Sequence, residues 1–372
     1  MKAVITGQVG LDKTPYLEEV VAFARRAGET VRLANVGQRM YAEAPDVAAG
    51  RILDLPLSRL RDLRRAAFRE VLGEIRPGGH LIVNTHATFR WRHGLFAAFD
   101  HDHMMALDAD LYICLVDSVD AIHARLRRDG HSDHSLKDLM VWREEEMMAT
   151  ELLSQIVRGH GRFYVQARGR DGDTAEMLYR LLFRPNLKKA YLSFPMSHIG
   201  DQPLLAAEIQ AFRNEMKRCF VCFDPGDLEE KPLCQMALEA VEQGRRMVSL
   251  TAAEKRLEID AQELVSIIGD IDGQIYARDF KLIDQSDMII SFIPELAGGG
   301  AALSSGVERE LQHAHEAAKD VFVIWRSRVR PSPFITETAT RVFSGVAEAV
   351  DYFHDSGLLG HEGGGLFAQN EP

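Results

Sequence analysis

The sequence predicts an α/β protein made of two parallel-sheet α/β domains. Three observations predict it. Short apolar runs of strand length alternate with longer amphipathic runs. The alternation breaks at a polar, proline-bearing stretch and then starts again. The chain has 372 residues, which suits two domains of ordinary size better than one.

In the first half, strands are expected at 3–6, 31–36, 80–84, 111–116 and 163–166, with a helix from about Tyr16. Leu60, Leu63, Ala67, Val71 and Ile75 recur at spacings of three and four with Arg and Glu between them. That pattern gives one buried face and one wet face. Strands alternating with helices imply a parallel sheet covered on both sides. A last helix runs to about Phe183, which closes a domain at 1–183. Arg184-Pro-Asn-Leu-Lys-Lys189 reads as a linker over 184–189, because Pro breaks the helix and the cluster is polar. The pattern restarts over 190–353, with strands expected at 190–194, 219–223, 288–293 and 321–325. The tail at 354–372 carries Gly360, Gly363, Gly364 and Gly365 and is expected to be mobile unless a neighbouring subunit holds it.

Composition narrows the function classes. An apolar fraction of 46% with 27% charged residues argues against disorder and low complexity. A net charge of -11 makes nucleic acid or an anionic membrane surface a poor partner. The start lacks the apolar core of a secretory signal and no run approaches membrane-spanning length, so a cytoplasmic protein is expected. Cys114, Cys219, Cys222 and Cys234 are too few for a disulfide scaffold and read as free thiols. Cys219 and Cys222 form a C-x-x-C, but Cys219-Phe-Val-Cys222-Phe reads as a buried strand whose side chains three apart face opposite ways. His93, His101 and His103 with Asp100 and Asp102 read as a solvated loop, and Glu144-Glu-Glu146 as an exposed helix start. No metal site is expected.

Gly7-Gln-Val-Gly-Leu-Asp-Lys13-Thr14 follows the first strand and precedes a helix. A phosphate loop needs glycines for close backbone approach, a Lys for the terminal phosphates and a hydroxyl for Mg²⁺. Gly7, Lys13 and Thr14 sit at the required offsets, and Gly10 adds a flexible point. Asp12 stands where the second glycine belongs, and a carboxylate there would repel phosphate. ATP with Mg²⁺ is what such a loop could hold; a structural turn that holds no nucleotide is the other reading. The second half carries three further elements. Tyr191-Leu-Ser-Phe-Pro-Met-Ser197 lies at a strand end, Arg278-Asp279-Phe280 precedes a strand, and Ser304-Ser-Gly-Val-Glu-Arg-Glu310 opens a helix. Ligands of open parallel sheets bind beyond the carboxyl ends of the strands. A helix start rich in Ser and Gly suits an anion. Two carboxylates, Asp279 and Glu310, would share this cleft, one as nucleophile and one handling protons.

Residues 1–183 resemble archaeal-type adenylate kinases. Beyond the loop, the resemblance rests on Asn35-Val-Gly-Gln-Arg-Met40 as an acceptor-nucleotide segment and on Asn84-Thr-His-Ala-Thr88 at a strand end. It also includes Asp117, the arginines Arg125, Arg127 and Arg128, and a short lid at Asp129-Gly-His-Ser-Asp133. Asn84 replaces the acidic residue expected to organise Mg²⁺, so the resemblance implies a degenerate P-loop kinase-like domain. Residues 188–353 resemble the nucleoside 2-deoxyribosyltransferase superfamily, including the deoxynucleoside-monophosphate N-glycosidases, on Tyr191, Asp279, Ser304, Gly306 and Glu310. This second resemblance implies a Rossmann-like (flavodoxin-like) domain. In it Glu310 is the nucleophile toward the sugar, Asp279 handles the base and Tyr191 orients the carboxylate. Ser193, Ser197, Ser304 and Gly306 are the implied phosphate or substrate contacts. Glu308 is a rival nucleophile, and Glu295-Leu-Ala-Gly-Gly-Gly-Ala-Ala302 is an insert expected to form a flexible flap. The implied function is cleavage or exchange of an N-glycosidic bond in a (deoxy)nucleoside or its 5′-monophosphate, with no cofactor required and a homo-oligomer as the working form. The alternatives are a nucleotide kinase with an accessory domain, or a nucleotide sensor gating the glycosidase-like half.

Overall fold

The computed structural model describes residues 1–92, 94–131, 134–169, 173–196, 202–252 and 255–359. It divides into two compact units. One comprises Met1–Phe183 and Asp227–Arg278; the other comprises Arg184–Gly226 and the chain from Asp279. The stretch Asp227–Arg278, read from sequence as part of the second domain, groups with the first.

The first unit opens with β1 (Lys2–Thr6), α1 (Lys13–Arg26), β2 (Val31–Asn35), α2 (Val36–Ala42), α3 (Leu57–Gly73) and β3 (His80–Asn84). A hairpin follows, β4 (Thr88–Trp91) and β5 (Gly94–Ala97), then α4 (His101–Leu107) and β6 (Leu111–Val116). The helices α5 (Val119–Arg128) and α6 (Leu136–Arg158), β7 (Phe163–Ala167) and α7 (Asp173–Phe183) come next. The chain enters the second unit with β8 (Lys189–Ser193), α8 (Pro203–Cys219) and β9 (Val221–Phe223). It returns to the first for α9 (Lys231–Glu242), β10 (Met247–Ala252), β11 (Lys255–Asp260), α10 (Ala261–Ser266) and much of α11 (Ile268–Asp284). It ends in the second with β12 (Met288–Ile293), α12 (Ser305–Glu316), β13 (Asp320–Trp325), α13 (Pro333–Thr336), β14 (Arg341–Phe343) and α14 (Val346–Asp355).

Each unit contains one five-stranded parallel sheet. The first has the order β2-β3-β1-β6-β7 and the second the order β14-β13-β12-β8-β9. Strands buried on both faces need apolar residues at successive positions, not alternating ones. Ala3-Val-Ile-Thr6 and Met288-Ile-Ile-Ser-Phe-Ile293 meet that need, and every residue of both runs is buried. In the second sheet, Phe322, Phe343, Tyr352 and Phe353 make ring contacts that seat α14 on the β13–β14 edge. Among the described residues, no helix is long and apolar enough to cross a membrane.

Four sequence expectations are corrected. Cys219 ends α8 and Cys222 lies in β9, because the stripe Leu205, Ile209, Phe212 and Met216 carries the helix through to residue 219. All four cysteines are free thiols. The segment around the histidines is no loop. It forms the β4–β5 hairpin and α4, whose N-terminus Asp100 caps by accepting from the Asp102 and His103 amides. His93 lies outside the described residues. Glu144 to Glu146 fall inside α6, and Glu146 is only 1% exposed. Finally, Arg64 sits on the buried face of α3 between Leu60 and Phe68, not on the wet one.

The stretch from Asp227 belongs to the first unit for a physical reason. The Glu230 carboxylate is fully buried and accepts from the Val119 amide at 2.8 Å, at the open start of α5. It also accepts from both terminal nitrogens of Arg143 on α6, at 2.9 and 3.1 Å. Arg143 beside Glu230 holds that carboxyl below its usual range against the opposing effect of burial. Glu230→Ala leaves Arg143 buried without this partner, so it should lower unfolding stability by about 3–5 kcal/mol in urea titrations. A same-sized apolar replacement of both residues should cost far less.

Candidate functional site

In the second unit, Tyr191 and Ser193 lie two apart on β8, so their side chains leave the sheet on one face. Parallel register sets Ser291 of β12 beside Ser193. Glu310, in the second turn of α12, turns its carboxyl onto this face. The Tyr191 hydroxyl donates to Glu310 Oε1 at 3.1 Å, and the Ser193 hydroxyl donates to Oε2 at 2.6 Å. Ser291 Oγ donates in turn to Ser193 Oγ at 3.4 Å. Burial pushes the Glu310 carboxyl up to about 8. The Ser193 bond opposes the rise, the negative charge of Asp279 adds to it, and the Tyr191 bond opposes it again.

Asp279 is buried and close enough for its charge to act on Glu310. It lies inside α11, whose helical run continues to Asp284. Ser304 is the N-cap of α12 and accepts from the Val307 amide at 3.3 Å. Gly306 sits in the first turn, where an added Cβ would meet only Ser304 Oγ, at 3.7 Å. Glu308 is exposed, and both hydroxyls go to Glu310. Ser193 is not placed as a phosphate contact: it is fully buried and its hydroxyl is committed to Glu310. Ser197 lies outside the described residues. The insert expected as a flexible flap is a closed turn. Glu295 pairs with Ala301 in an antiparallel bridge, Leu296 N–H donates to Gly300 O at 2.8 Å, and Ser327 Oγ donates to Gly299 O at 3.3 Å.

Sequence reasoning missed Ser291. Its signal was a lone hydroxyl inside the otherwise apolar run of β12, in register with Ser193.

In the first unit, the loop after β1 runs into α1 as expected. Gly7 has φ 140°, and a Cβ there would lie 2.5 Å from Leu11 Cδ1 and 2.7 Å from Leu115 O, so only glycine fits. Asp12 has φ 50°, a left-handed backbone that glycine would hold without strain. Its carboxylate makes no cap to α1; it pairs with Arg128 at 2.9 and 3.1 Å and lies 3.9 Å from Arg125. Arg125 itself donates to Asp117 at 2.7 Å, and Arg128 also grips Asp129. Lys13 donates to Gly7 O at 2.6 Å and lies 3.2 Å from the His86 ring; burial pushes its ammonium down to about 8 against the pull of Glu146. Burial, with Lys13 and Arg64 adding, holds His86 well below its ordinary value, so it is neutral.

The residues do not fit Mg²⁺. Its ligands must be oxygens with free lone pairs. Thr14 Oγ1 instead accepts from Asn84 Nδ2 at 3.2 Å, and the same amide donates to Asn35 Oδ1 at 2.8 Å. An N–H donor stands where an acidic ligand was expected. Beyond the carboxyl ends of β1, β2 and β3 lies a cavity of about 530 Å³. Lys13, Arg64 and His86 meet there with Tyr41, Phe89 and Trp91.

No family model matches the chain. Shikimate kinase from Bacteroides thetaiotaomicron is a similar solved structure, 15% identical, covering 49% of this chain and 98% of that one with a TM-score of 0.34. The likeness is to a kinase, and it does not bear on the deoxyribosyltransferase resemblance of the second half.

The Tyr191 and Ser193 bonds favour the ionised form of Glu310. Tyr191→Phe and Ser193→Ala should therefore each raise its pKa above about 8, Ser193→Ala by more. Carbon NMR titration of glutamate-labelled protein reads this directly.

Proposed function

We propose that the second unit cleaves or exchanges the N-glycosidic bond of a (deoxy)nucleoside or its 5′-monophosphate, with Glu310 as nucleophile. The observation that carries the reading is a half-buried glutamate whose carboxyl is held by two hydroxyl donors and feels the charge of a second carboxylate. A glutamate in an ordinary helix start needs neither. Its place also fits: the strand order reverses between β8 and β12, where open parallel sheets take their ligands.

In this mechanism one Glu310 oxygen bonds C1′ as the C1′–N bond breaks, and the electron pair leaves with the base. Asp279, as a carboxylate, positions the base, which takes its proton from water. Positive charge develops on the sugar ring, and buried carboxylates stabilise it. Water then opens the sugar ester at C1′ and regenerates the carboxylate, giving a hydrolase; a second base in place of water gives a transferase. Tyr191 and Ser193 fix the direction of attack and do not react.

A nucleophile must be ionised. In the free protein the ionised fraction of Glu310 rises with pH up to about 8. Base release from each dNMP and NMP, followed by chromatography, should therefore show kcat/KM climbing about tenfold per pH unit below that point and levelling above it. Glu310→Ala should abolish release. Activity in Glu310→Ala, or a profile that falls with pH, would overturn the reading.

The second reading is a nucleotide kinase in the first unit, favoured by the cavity beside Lys13. The donor set for Mg²⁺ is missing there, with the Asn84 amide beside the Thr14 hydroxyl. ATP-dependent phosphorylation of a nucleoside monophosphate, lost in Lys13→Ala, would restore this reading.

A further inference from the structure

The two carboxyls of the second unit repel one another, so their closeness has to be held from outside the pair. Asp279 rides on α11 and Glu310 on α12. The negative charge of Asp279 acts on Glu310 and opposes its ionisation. An attraction between the same two helices, near both carboxyls, is needed to offset that repulsion.

Such an attraction lies one residue further along α11 and one turn further along α12. The centres of the His313 and Phe280 rings are 4.5 Å apart, with the planes tilted by 40°. His313 Nε2 also lies 2.7 Å from Asp284 Oδ1. Phe280 follows Asp279 directly, and Asp284, four residues on, shares the Phe280 side of α11. His313 stands three residues after Glu310, on the same side of α12. One imidazole thus joins α11 to α12 beside both carboxyls. Lys319, beyond the end of α12, donates to the Asp284 and Ser286 carbonyls at 2.9 and 2.6 Å and grips the last turn of α11.

The two helices are not equally anchored around the carboxyls. α12 buries Val307, Leu311 and Ala314, and Glu310 itself is bonded to two hydroxyls of β8. Asp279 lies about 7.5 Å along the helix axis from the end that Lys319 grips. Loosening the imidazole contact therefore lets Asp279 swing while Glu310 keeps its bonds.

We propose that His313 is a positioning residue: by joining Phe280 and Asp284 to α12, it fixes the separation of the Asp279 and Glu310 carboxyls. His313 acts through the two helices and takes no part in bond making. Its influence on catalysis rests on the glycosidic reading of Glu310, whereas its influence on the two carboxyls does not. A histidine in the last turn of a helix also compensates the helix dipole. That role alone would change stability and leave Glu310 as it is.

The test is carbon NMR titration of the glutamate-labelled full chain, with the Glu310 signal assigned by its loss in Glu310→Gln. The His313 side chain is 32% exposed, so its truncation leaves no sealed cavity and the fold survives. His313→Ala should lower the Glu310 pKa from about 8 by at least about half a unit, as Asp279 retreats and its charge weakens with distance. Loss of a histidinium's own charge would move Glu310 the other way, so a fall reports distance. His313→Gln, whose amide can still bond Asp284, should recover part of the shift. Asp284→Ala should act through the same contact, so the double variant should match His313→Ala rather than sum the two. With a dNMP or NMP that the wild-type protein consumes, His313→Ala should lower kcat at least about tenfold with KM nearly unchanged. A Glu310 pKa unmoved or raised in His313→Ala, additive shifts in the double variant, or an unchanged kcat in an active protein would overturn the proposal. A wild-type protein silent toward every dNMP and NMP would instead remove the glycosidic reading, and the titration would still decide the role of His313.

Discussion

The second unit is organised around a carboxyl that is costly to ionise where it sits. Glu310 is partly withdrawn from water, and among the described residues two hydroxyls compensate it. That arrangement depends on register. If β8 slid one position against β12, Tyr191 and Ser193 would turn to the opposite face of the sheet. The apolar packing of β8, β12 and β13 is thus also what aims the hydroxyls, and Ser291 steadies Ser193 from the neighbouring strand.

The first unit follows a different economy of charge. Its loop keeps the glycine geometry, the lysine and the hydroxyl of a phosphate loop, yet each polar group has found a partner within the protein. Asp12 goes to Arg128, Thr14 to Asn84, and the Gly7 amide to Glu146. Backbone shape is fixed by sterics and tolerates such rewiring, whereas metal–phosphate chemistry depends on individual oxygens and does not.

Most of the parallel strands were legible because doubly buried strands are written as unbroken apolar runs. The two hairpins and β14 were not, since short half-exposed strands carry little periodic signal. Glu310, Tyr191 and Asp279 could be singled out by type and order, and a shared cleft was expected from their strand-end and helix-start positions and from the family resemblance, but the hydrogen bond between Tyr191 and Glu310, 119 residues apart, has no local signal. Arg64 and Glu146 were misread for one reason: charge was taken as a mark of the solvent face. Spacing was the better guide for Arg64, four residues from both Leu60 and Phe68. Nothing local marks Glu146, whose donors come from two distant loops.

The order in which the polypeptide visits its two units has a consequence for biosynthesis. A ribosome completes the first sheet by Ala167, then releases β8, α8 and β9 before the segment that finishes the first unit. Two strands of the second sheet emerge long before their neighbour β12 exists. During that interval an apolar parallel edge has no mate, which is the kind of nascent species that chaperones shelter.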